Sequence, residues 1–510
     1  MNGRLKKDEL IREYVRALTN GNAALFAGAG LSIPSGGLSW AKLLEKEAKN
    51  IGIDVHKEHD LTSVAQYIYN ESGSRQVITD LLKNHINEYG KVNENHKILS
   101  ALPINKIWTT NYDDYIEKSL MEANKAYDVK KSVDDMTSES DDAETTIYKM
   151  HGDIGNLNNT VILKDDYELY DTKNEVFLNA LQNDLINHTF LFFGFSFDDP
   201  NLQNILSKVR IMIGDSGRRH YCILKKVSID DQEFINLESN EKEEAFKNRK
   251  NMQRLRVNDL KRYNINAVLV DDYKEMTDIL THIKYSFLSN TVFVSGAYDK
   301  VESFLGFEND EATRVAGEFT KKLGFRLCQE NYKVKSGFGL GVGRNIVQGF
   351  LDAEAYAGRS KLSKDLTIHP FPAGYSQEQN HTYREKIMVD AGICIIVFGN
   401  KTDPVNGDII KSNGILDEYS VAKEYGQFII PIGLTGYLAK DLWKSVQRYD
   451  RLPKMNELIN QLNDESIFNG LDENDDTGKI NLLLDLIFEI LELYKTNLDK
   501  IYDNLAASSK

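Results

Sequence analysis

Cysteine is scarce, three residues in 510. Cys222, Cys328 and Cys394 are too few and too far apart for a tetrahedral thiolate site, so neither a zinc ribbon nor another metal centre is expected. Two of them lie inside apolar runs, Tyr221-Cys222-Ile223-Leu224 and Ile393-Cys394-Ile395-Ile396, and read as buried free thiols of a reducing compartment. Positive charge is in deficit as well. With 62 Lys and Arg against 77 Asp and Glu, the net charge of −15 argues against a nucleic-acid surface over much of the molecule, though not against a local basic pocket. Long apolar runs are missing: the strongest, residues 189–197 and 393–398, are about half the length of a membrane span. The first 14 residues are charged throughout and carry no signal-peptide core. The chain therefore reads as soluble and cytoplasmic, with neither membrane nor nucleic acid as a partner. Its 41% hydrophobic and 27% charged content is that of a globular protein, and its length suits two domains that each bury a core.

What the chain does have is a glycine turn behind an apolar run. Residues 22–27 lead into Gly28-Ala29-Gly30-Leu31-Ser32, and a helical pattern occupies residues 38–50. Strand, glycine turn and helix make a dinucleotide-phosphate site when the glycines admit the pyrophosphate and the following amides point at it. The same residues also suit a plain structural turn. Two later stretches favour the functional reading. Trp108-Thr109-Thr110-Asn111-Tyr112-Asp113 and Tyr148-Lys149-Met150-His151-Gly152-Asp153 each follow or end an apolar segment. Polar residues at the carboxyl ends of parallel strands gather in one crevice. That crevice would hold the glycine turn, the carboxamide of Asn111 and the imidazole of His151. A histidine, with an ordinary pKa of about 6.5, suits a general base. Ser32 and Asp113 are supporting candidates, and Asp113 equally suits a cap for the helix that begins there.

Around these motifs the first half alternates strands and helices. Residues 6–19 form an amphipathic helix, and residues 38–103 are almost wholly helical, an inserted lobe. Its aromatics Trp40, Tyr67 and Tyr69 either wall the pocket or fill the lobe's own core. Strands are expected at residues 107 and 146, with a solvated loop over 130–144 between them. The continuous apolar run 189–193 is a strand covered on both faces, and 220–225 and 265–270 are further strands. The charged stretch 230–262 reads as a solvated helical pair, and a helix over 274–287 closes the domain.

Residues 291–297 begin the same pattern again, which puts the boundary at 288/289 and the domains at 1–288 and 289–510. Ser295-Gly296 ends that strand, and a second glycine-rich turn, residues 335–343, opens a helix over 345–356. Together they would bring backbone amides to one ligand phosphate. The longer glycine loop sits on a later strand than a redox dinucleotide fold requires, so no hydride-transfer site is read. Strands at 366–371, 393–398 and 428–432 alternate with helices, giving a doubly wound parallel sheet. The fold class is thus α/β, two Rossmann-like parallel-sheet domains. The leucine-rich final helix, 480–494, is either an oligomer surface or a core element.

GAGLS, TTNYD and HGD in this order resemble the sirtuin signature, and the stretch Phe193-Gly194-Phe195-Ser196-Phe197-Asp198-Asp199-Pro200-Asn201 is similar to that fold's later Gly-Ser turn. The departures are specific. The middle motif usually reads TQNID, the Pro-Asp-Phe-Arg element is replaced by residues 34–40, and the zinc cysteines are absent. The second half is similar to the SLOG family, a Rossmann-like group that binds nucleotide-derived ligands. A sirtuin-like domain followed by a SLOG domain over the whole chain resembles the NAD-consuming effectors of the bacterial Thoeris anti-phage system.

The resemblance implies that NAD+ is a substrate and not a cofactor, hydrolysed to nicotinamide and ADP-ribose. It makes Asn111 and His151 the catalytic pair and places substrate contacts at Gly28, Ala29, Gly30, Ser32, Asp113 and Ser196. In the second half it places effector contacts at Ser295, Gly296, Gly339, Leu340, Gly341, Phe371, Arg384, Lys401, Gly414 and Glu418. Arg384 and Lys401 would neutralise a pyrophosphate, Glu418 would accept from ribose hydroxyls, and Phe371 would stack on a base. On the residues alone Arg384 and Lys401 are ordinary surface charge. The resemblance further implies an activating cyclic ADP-ribose isomer made by a partner TIR-domain protein, a homotetramer, and NAD depletion in abortive infection. Two other classes compete: an NAD-dependent protein deacylase or ADP-ribosyltransferase of sirtuin type, and a non-catalytic nucleotide sensor.

Overall fold

Strand β1 (Ala23–Ala27) is buried at all five positions, as a strand covered on both faces must be. It lies at the centre of a seven-stranded sheet in a computed structural model that describes residues 3–36, 40–55, 57–58, 60–87, 90–138, 140–195, 197, 199–235, 237–358, 364–403, 405–498 and 500–501. The other strands are β2 (Lys106–Thr109), β3 (Tyr127–Lys130), β4 (Thr145–Lys149), β5 (Thr189–Phe193), β6 (His220–Lys225) and β7 (Ile265–Val270). Their order is β3-β4-β2-β1-β5-β6-β7 and every pairing is parallel. The chain runs outward from β1 through β2 and then crosses to β5 on the other side. The sheet therefore has a switch point between β1 and β5, where the loops diverge and leave a crevice at the carboxyl ends.

The excursion between β1 and β2 is the expected helical lobe. It consists of helices Trp40–Asn50, Leu61–Ser72, Gln76–Asn87 and Glu94–Ser100. Asp60 caps the second by accepting from the amides of Thr62 and Ser63, and Gly73 ends it at φ 64°. Leu44, Ala48, Val64, Ile68 and Leu82 pack together with Ile162 and Leu163 from beyond β4. The edge strand β3 corrects the expectation of a loop that starts at residue 130. Its sequence, YDVK, has one aliphatic residue, and Lys130 is nonetheless buried.

The second sheet repeats the construction with five parallel strands. They are β8 (Thr291–Ala297), β11 (Lys333–Ser336), β12 (Leu366–Ile368), β13 (Ile393–Phe398) and β16 (Phe428–Pro431), in the order β12-β11-β8-β13-β16. Two small antiparallel hairpins accompany it: β9 (Ser303–Phe304) with β10 (Phe307–Glu308), and β14 (Asn400–Thr402) with β15 (Ile409–Lys411). Neither hairpin was legible as alternation, since each strand is only two or three residues long. The switch point lies between β8 and β13. The final helix, Asp476–Thr496, buries Leu483, Ile487, Leu491 and Tyr494, and the Tyr494 ring stacks on Phe428 at 4.2 Å. That helix is a core element of the second unit. By internal contacts the chain divides into Met1–Lys284 and Tyr285–Lys510, a division inside the last turn of helix Tyr273–Leu288. Among the described residues, no helix is long and apolar enough to cross a membrane.

The glycines of the first turn meet a glycine on the neighbouring strand. Gly194 follows β5 at φ +66°, where a Cβ would stand 2.4 Å from the Leu31 nitrogen and 2.6 Å from the Gly30 carbonyl carbon. A Cβ on Gly28 would lie 2.5 Å from the Gly194 oxygen, and one on Gly30 would lie 2.6 Å from its Cα. The turn after β1 and the turn after β5 thus press backbone to backbone, which no side chain permits. Gly194→Ala is expected to cost about 2–4 kcal/mol in chemical denaturation, from forbidden φ and collision together. Gly21→Ala is the control: φ is +69° with nothing within 4 Å, and its cost should stay near 1 kcal/mol. Equal losses at the two positions would show that the interlock contributes nothing beyond backbone strain.

Candidate active site

The crevice at the first switch point is a cavity of about 930 Å³ lined by Gly30, Ser32, Asn111, Asp113, His151 and Asp199 among others. Each reaches it from the carboxyl end of a strand or from the turn just after one. β1 delivers Ala29, Gly30 and Ser32; β2 delivers Asn111 and Asp113; β4 delivers His151; β5 delivers Gly194 and Phe195. Trp40 of the helical lobe lines the cavity too, while Tyr67 is 51% exposed and Tyr69 packs into the lobe's own core. Ser196 lies outside the described residues.

Asn111 is held from both ends. Its backbone amide donates to the Thr109 hydroxyl at 3.0 Å, and its Nδ2 donates to the Gly28 carbonyl at 3.0 Å and the Ser32 Oγ at 3.2 Å. The Ser32 hydroxyl in turn donates to Asp113 Oδ2 at 2.8 Å. A carboxamide committed to two neighbours by its nitrogen keeps its oxygen as the acceptor for an incoming donor. Asp113 also accepts from the Tyr115 amide at 3.3 Å, but the N-cap of the helix Tyr115–Glu122 is Asp114 and not Asp113. Burial pushes its pKa up, against the pull of the Ser32 hydroxyl and the Lys149 ammonium.

The glycine turn itself offers fewer free amides than its sequence suggests. The amides of Gly28 and Gly30 donate to the carbonyls of Phe193 and Gly194, at 2.9 and 2.8 Å. Those of Leu31 and Ser32 donate back to Gly28 and Ala29, both at 3.0 Å. What the glycines provide is the close approach of two turns, and the cavity wall is built on that approach.

His151 is 3% exposed, and its Nε2 stands 3.1 Å from Asp199 Oδ2. The ring N–H is off that line, so Nε2 has no aligned acceptor among the described residues. Tyr167 and Tyr170 hold the ring edge to face, at centroid distances of 5.3 and 6.3 Å. Burial opposes charge on Asp199, yet His151 and the amides of Leu202 and Asn201 keep its pKa below the usual carboxylate range. Asp199 lies within the stretch 193–201 but was given no site role from sequence. Its signal was present as Asp199-Pro200, an N-cap followed by proline at the first helical position.

Lys149 was likewise not singled out, and its side chain is wholly buried. Its ammonium donates to Glu117 Oε1 at 2.9 Å, Asp153 Oδ2 at 2.7 Å, the Asp113 carbonyl at 2.6 Å and the Tyr112 carbonyl at 3.4 Å. Burial works against the charge, but Glu117 and Asp153 hold its pKa above the ordinary lysine value. The two acids respond differently: burial leaves Glu117 raised, while Lys149 holds Asp153 low.

The second unit gathers most of the residues expected there, Ser295 and Gly296 from the end of β8, Arg384 from helix Gln377–Met388, and Gly414 and Glu418 from helix Asn413–Glu424. Ser295, on β8, donates to Glu418 Oε2 at 2.5 Å. Arg384 donates to Asp417 Oδ2 at 2.9 Å, with Nε 3.8 Å from Glu418 Oε1, and its guanidinium lies 4.4 Å from the centre of the Phe371 ring. Gly414 stands beside that guanidinium, where a Cβ would come 2.9 Å from Nη2. Glu418 is buried, and its pKa is pushed up to about 7 by burial, against the Ser295 hydroxyl and Arg384. In the glycine-rich loop, a Cβ on Gly339 would lie 2.2 Å from the Gly296 oxygen, and one on Gly341, at φ +71°, would lie 2.5 Å from the Tyr298 oxygen. Leu340 is 58% exposed on that loop and its carbonyl accepts from Tyr298. Lys401 stands apart: it is exposed on β14, with no ion pair among the described residues.

Comparison with known proteins agrees with this two-part construction. Residues 105–253 match the model of the SIR2-like domain, and residues 275–492 match that of the Sir2- and TIR-associating SLOG family. The chain is 38% identical over 492 residues to a protein of Enterococcus faecium named NAD(+) hydrolase ThsA, covering 96% of this chain and 99% of the relative. Relatives of the same name from Bacillus cereus (38% identical, 95% of this chain and 97% of the relative) and Acinetobacter baumannii (36% identical, 89% and 95%) are similar over nearly their whole length. A protein named Defense-associated sirtuin 2, from Bacillus subtilis, is 28% identical over 42% of this chain and 22% of its own length. A sirtuin-like sheet, a SLOG sheet and end-to-end similarity of this degree place the chain in the ThsA family of NAD(+) hydrolases.

Proposed function

We propose that the first unit hydrolyses NAD+ at the nicotinamide–ribose bond, and that a nucleotide of the cyclic ADP-ribose type, bound at the second, switches it on. The observation that carries the first part is the meeting of Asn111, Ser32, Asp113 and His151 on one 930 Å³ cavity at a sheet switch point. Nicotinamide leaves from a pyridinium, so its departure needs little covalent assistance and leaves an oxocarbenium-like sugar. The protein has to seat the dinucleotide, turn the nicotinamide out and deliver water to the anomeric carbon. Asn111, its nitrogen committed to Gly28 and Ser32, would accept from a ribose hydroxyl or the water through its oxygen. His151 would be the general base. In the second unit, Arg384 would meet the pyrophosphate, Phe371 the base and Glu418 the ribose hydroxyls, with Lys401 a contact made on binding. The family's defensive use, a TIR-domain protein as the source of the nucleotide, and a homotetramer complete the reading. The family and the described geometry support it over a protein deacylase, an ADP-ribosyltransferase or a bare sensor, and nicotinamide release that needs no acylated protein would separate these.

Asn111→Ala and His151→Ala should each lower nicotinamide release by about a hundredfold to ten-thousandfold while the melting transition stays within a few degrees. Near wild-type turnover in either variant removes that residue from the chemistry.

Arg384→Ala should abolish the response to an added cyclic ADP-ribose isomer while NAD+ still protects the first unit thermally. A full response at low nucleotide concentration would place sensing elsewhere.

Glu418 allows a pH test with a definite sign. Its folded-state pKa is raised to about 7, so the stability of the neutral acid is lost as pH climbs from the unfolded value towards 7. Glu418→Gln should therefore match the wild type near pH 5 and exceed it at pH 8, by at most on the order of 3 kcal/mol. A difference that does not grow with pH would show that Glu418 carries its charge without penalty.

A further inference from the structure

Asp199 lies in the stretch 193–201 at the end of β5, where the sequence assigned it no role, yet it is the charged group in contact with His151. The pair is enclosed: the His151 side chain is 4% exposed and the Asp199 side chain 7%, with Nε2 and Oδ2 3.1 Å apart. The other oxygen of Asp199, Oδ1, is fixed separately by the amide of Leu202 at 2.9 Å, as the N-cap of helix Pro200–Ile213. One oxygen is therefore anchored by the helix start, and the other is left facing the imidazole.

We propose that Asp199 is a positioning residue for His151, accepting its Nε2–H and so fixing the tautomer in which Nδ1 is the basic nitrogen. This rests on the reading of His151 as the general base. In the reaction the water's O–H bond breaks as its oxygen joins the anomeric carbon. The glycosidic bonding pair leaves with nicotinamide, and the proton settles on Nδ1. The imidazolium so formed is buried, and a buried cation without a counter-charge is costly. Asp199 supplies that counter-charge at contact distance. The other groups around the pair are neutral or further away. Tyr112, Tyr167 and Tyr170 are all pushed well above the ordinary tyrosine pKa by burial, with Asp199 adding to the shift. Asp166 is tied to Arg75 by two hydrogen bonds, and Asp113 is bonded to Ser32. The Nε2–H, off that line at a 3.1 Å separation, would align by a turn of the ring between its two tyrosines, and such bonds commonly tighten only around substrate.

The test uses the full chain, assayed with NAD+ and a saturating cyclic ADP-ribose isomer, and the variants Asp199→Asn and Asp199→Ser. Serine keeps the helix cap and removes the counter-charge, so it separates pairing from folding. Both variants should lose about a hundredfold in kcat while KM for NAD+ stays within about threefold. The acid limb of the kcat–pH profile should move to lower pH, because the imidazolium has lost its partner. Adding Asp199→Ser to His151→Ala should cost nothing further. Wild-type kcat in Asp199→Ser, an unmoved acid limb, or a raised KM with kcat intact would each overturn the pairing. If His151→Ala itself keeps its turnover, the general-base reading falls and the pairing with it. If His151→Ala is inactive and Asp199→Ser is not, only the pairing falls.

Discussion

One buried ammonium ties the first site together. Asn111 and His151 belong to separate turns, after β2 and after β4, and nothing in parallel pairing alone fixes the distance between two such turns. Lys149 does so from beneath. It takes the carbonyls of Tyr112 and Asp113 from the first turn, Asp153 from the second and Glu117 from the helix Tyr115–Glu122. The arrangement is strongly directional, because a lysine buried with unmet donors would be expelled or neutralised. Its raised pKa records that the partners more than offset the loss of water. With two carboxylates around one ammonium, the surplus negative charge is carried as a raised Glu117, while Asp153 keeps a low pKa.

This explains which parts of the site were legible in the sequence. Apolar runs and glycine turns mark where strands end, and strand ends are where the crevice lies, so GAGLS, TTNYD and HGD could be placed on it from spacing and resemblance. The residues that hold those motifs were not legible in the same way. Lys149 sits inside a named motif but looks like an exposed strand-end lysine. Only the tertiary return of Glu117 makes it internal. Asp199 looks like an N-cap, which it is, and its second oxygen faces His151 only because the turns after β4 and β5 reach the same crevice. In the second unit, Arg384 and Glu418 needed the resemblance, because they come from separate helices and Glu418's serine partner, Ser295, lies 123 residues earlier. The glycines were legible as a turn, but the close approach of Gly194 and Phe195 that bars side chains from them was not.

The two sites use one construction and differ in their charge. Each lies where parallel strands diverge, on glycines that allow backbones to touch, with a carboxylate bonded to a serine. In the first, Asp113 and Ser32 hold a neutral carboxamide, and the lysines on the cavity are already committed, Lys164 near Asp60 and Ser63 and Lys225 to Asp231. No arginine lines that cavity among the described residues. In the second, Arg384 faces Phe371 and two acids, and its Nε is buried without a hydrogen-bond partner.

That contrast fits what each site would have to do. A hydrolase gains no turnover from gripping the ground state of its substrate, since uniform binding lowers KM without raising kcat. A sensor has the opposite need, because it can bias an equilibrium only by the difference in its affinity for two states. An arginine whose Nε lacks an acceptor, set against a carboxylate poised near neutrality, makes such a difference available. An anion that satisfied Arg384 would compete with Asp417 and Glu418 for the guanidinium and leave Glu418 with less to offset its burial. Ribose hydroxyls donating to Glu418 would restore that balance. A ligand carrying both groups would therefore be bound more tightly than one carrying either alone, so the discrimination lies in the pairing of phosphate with sugar.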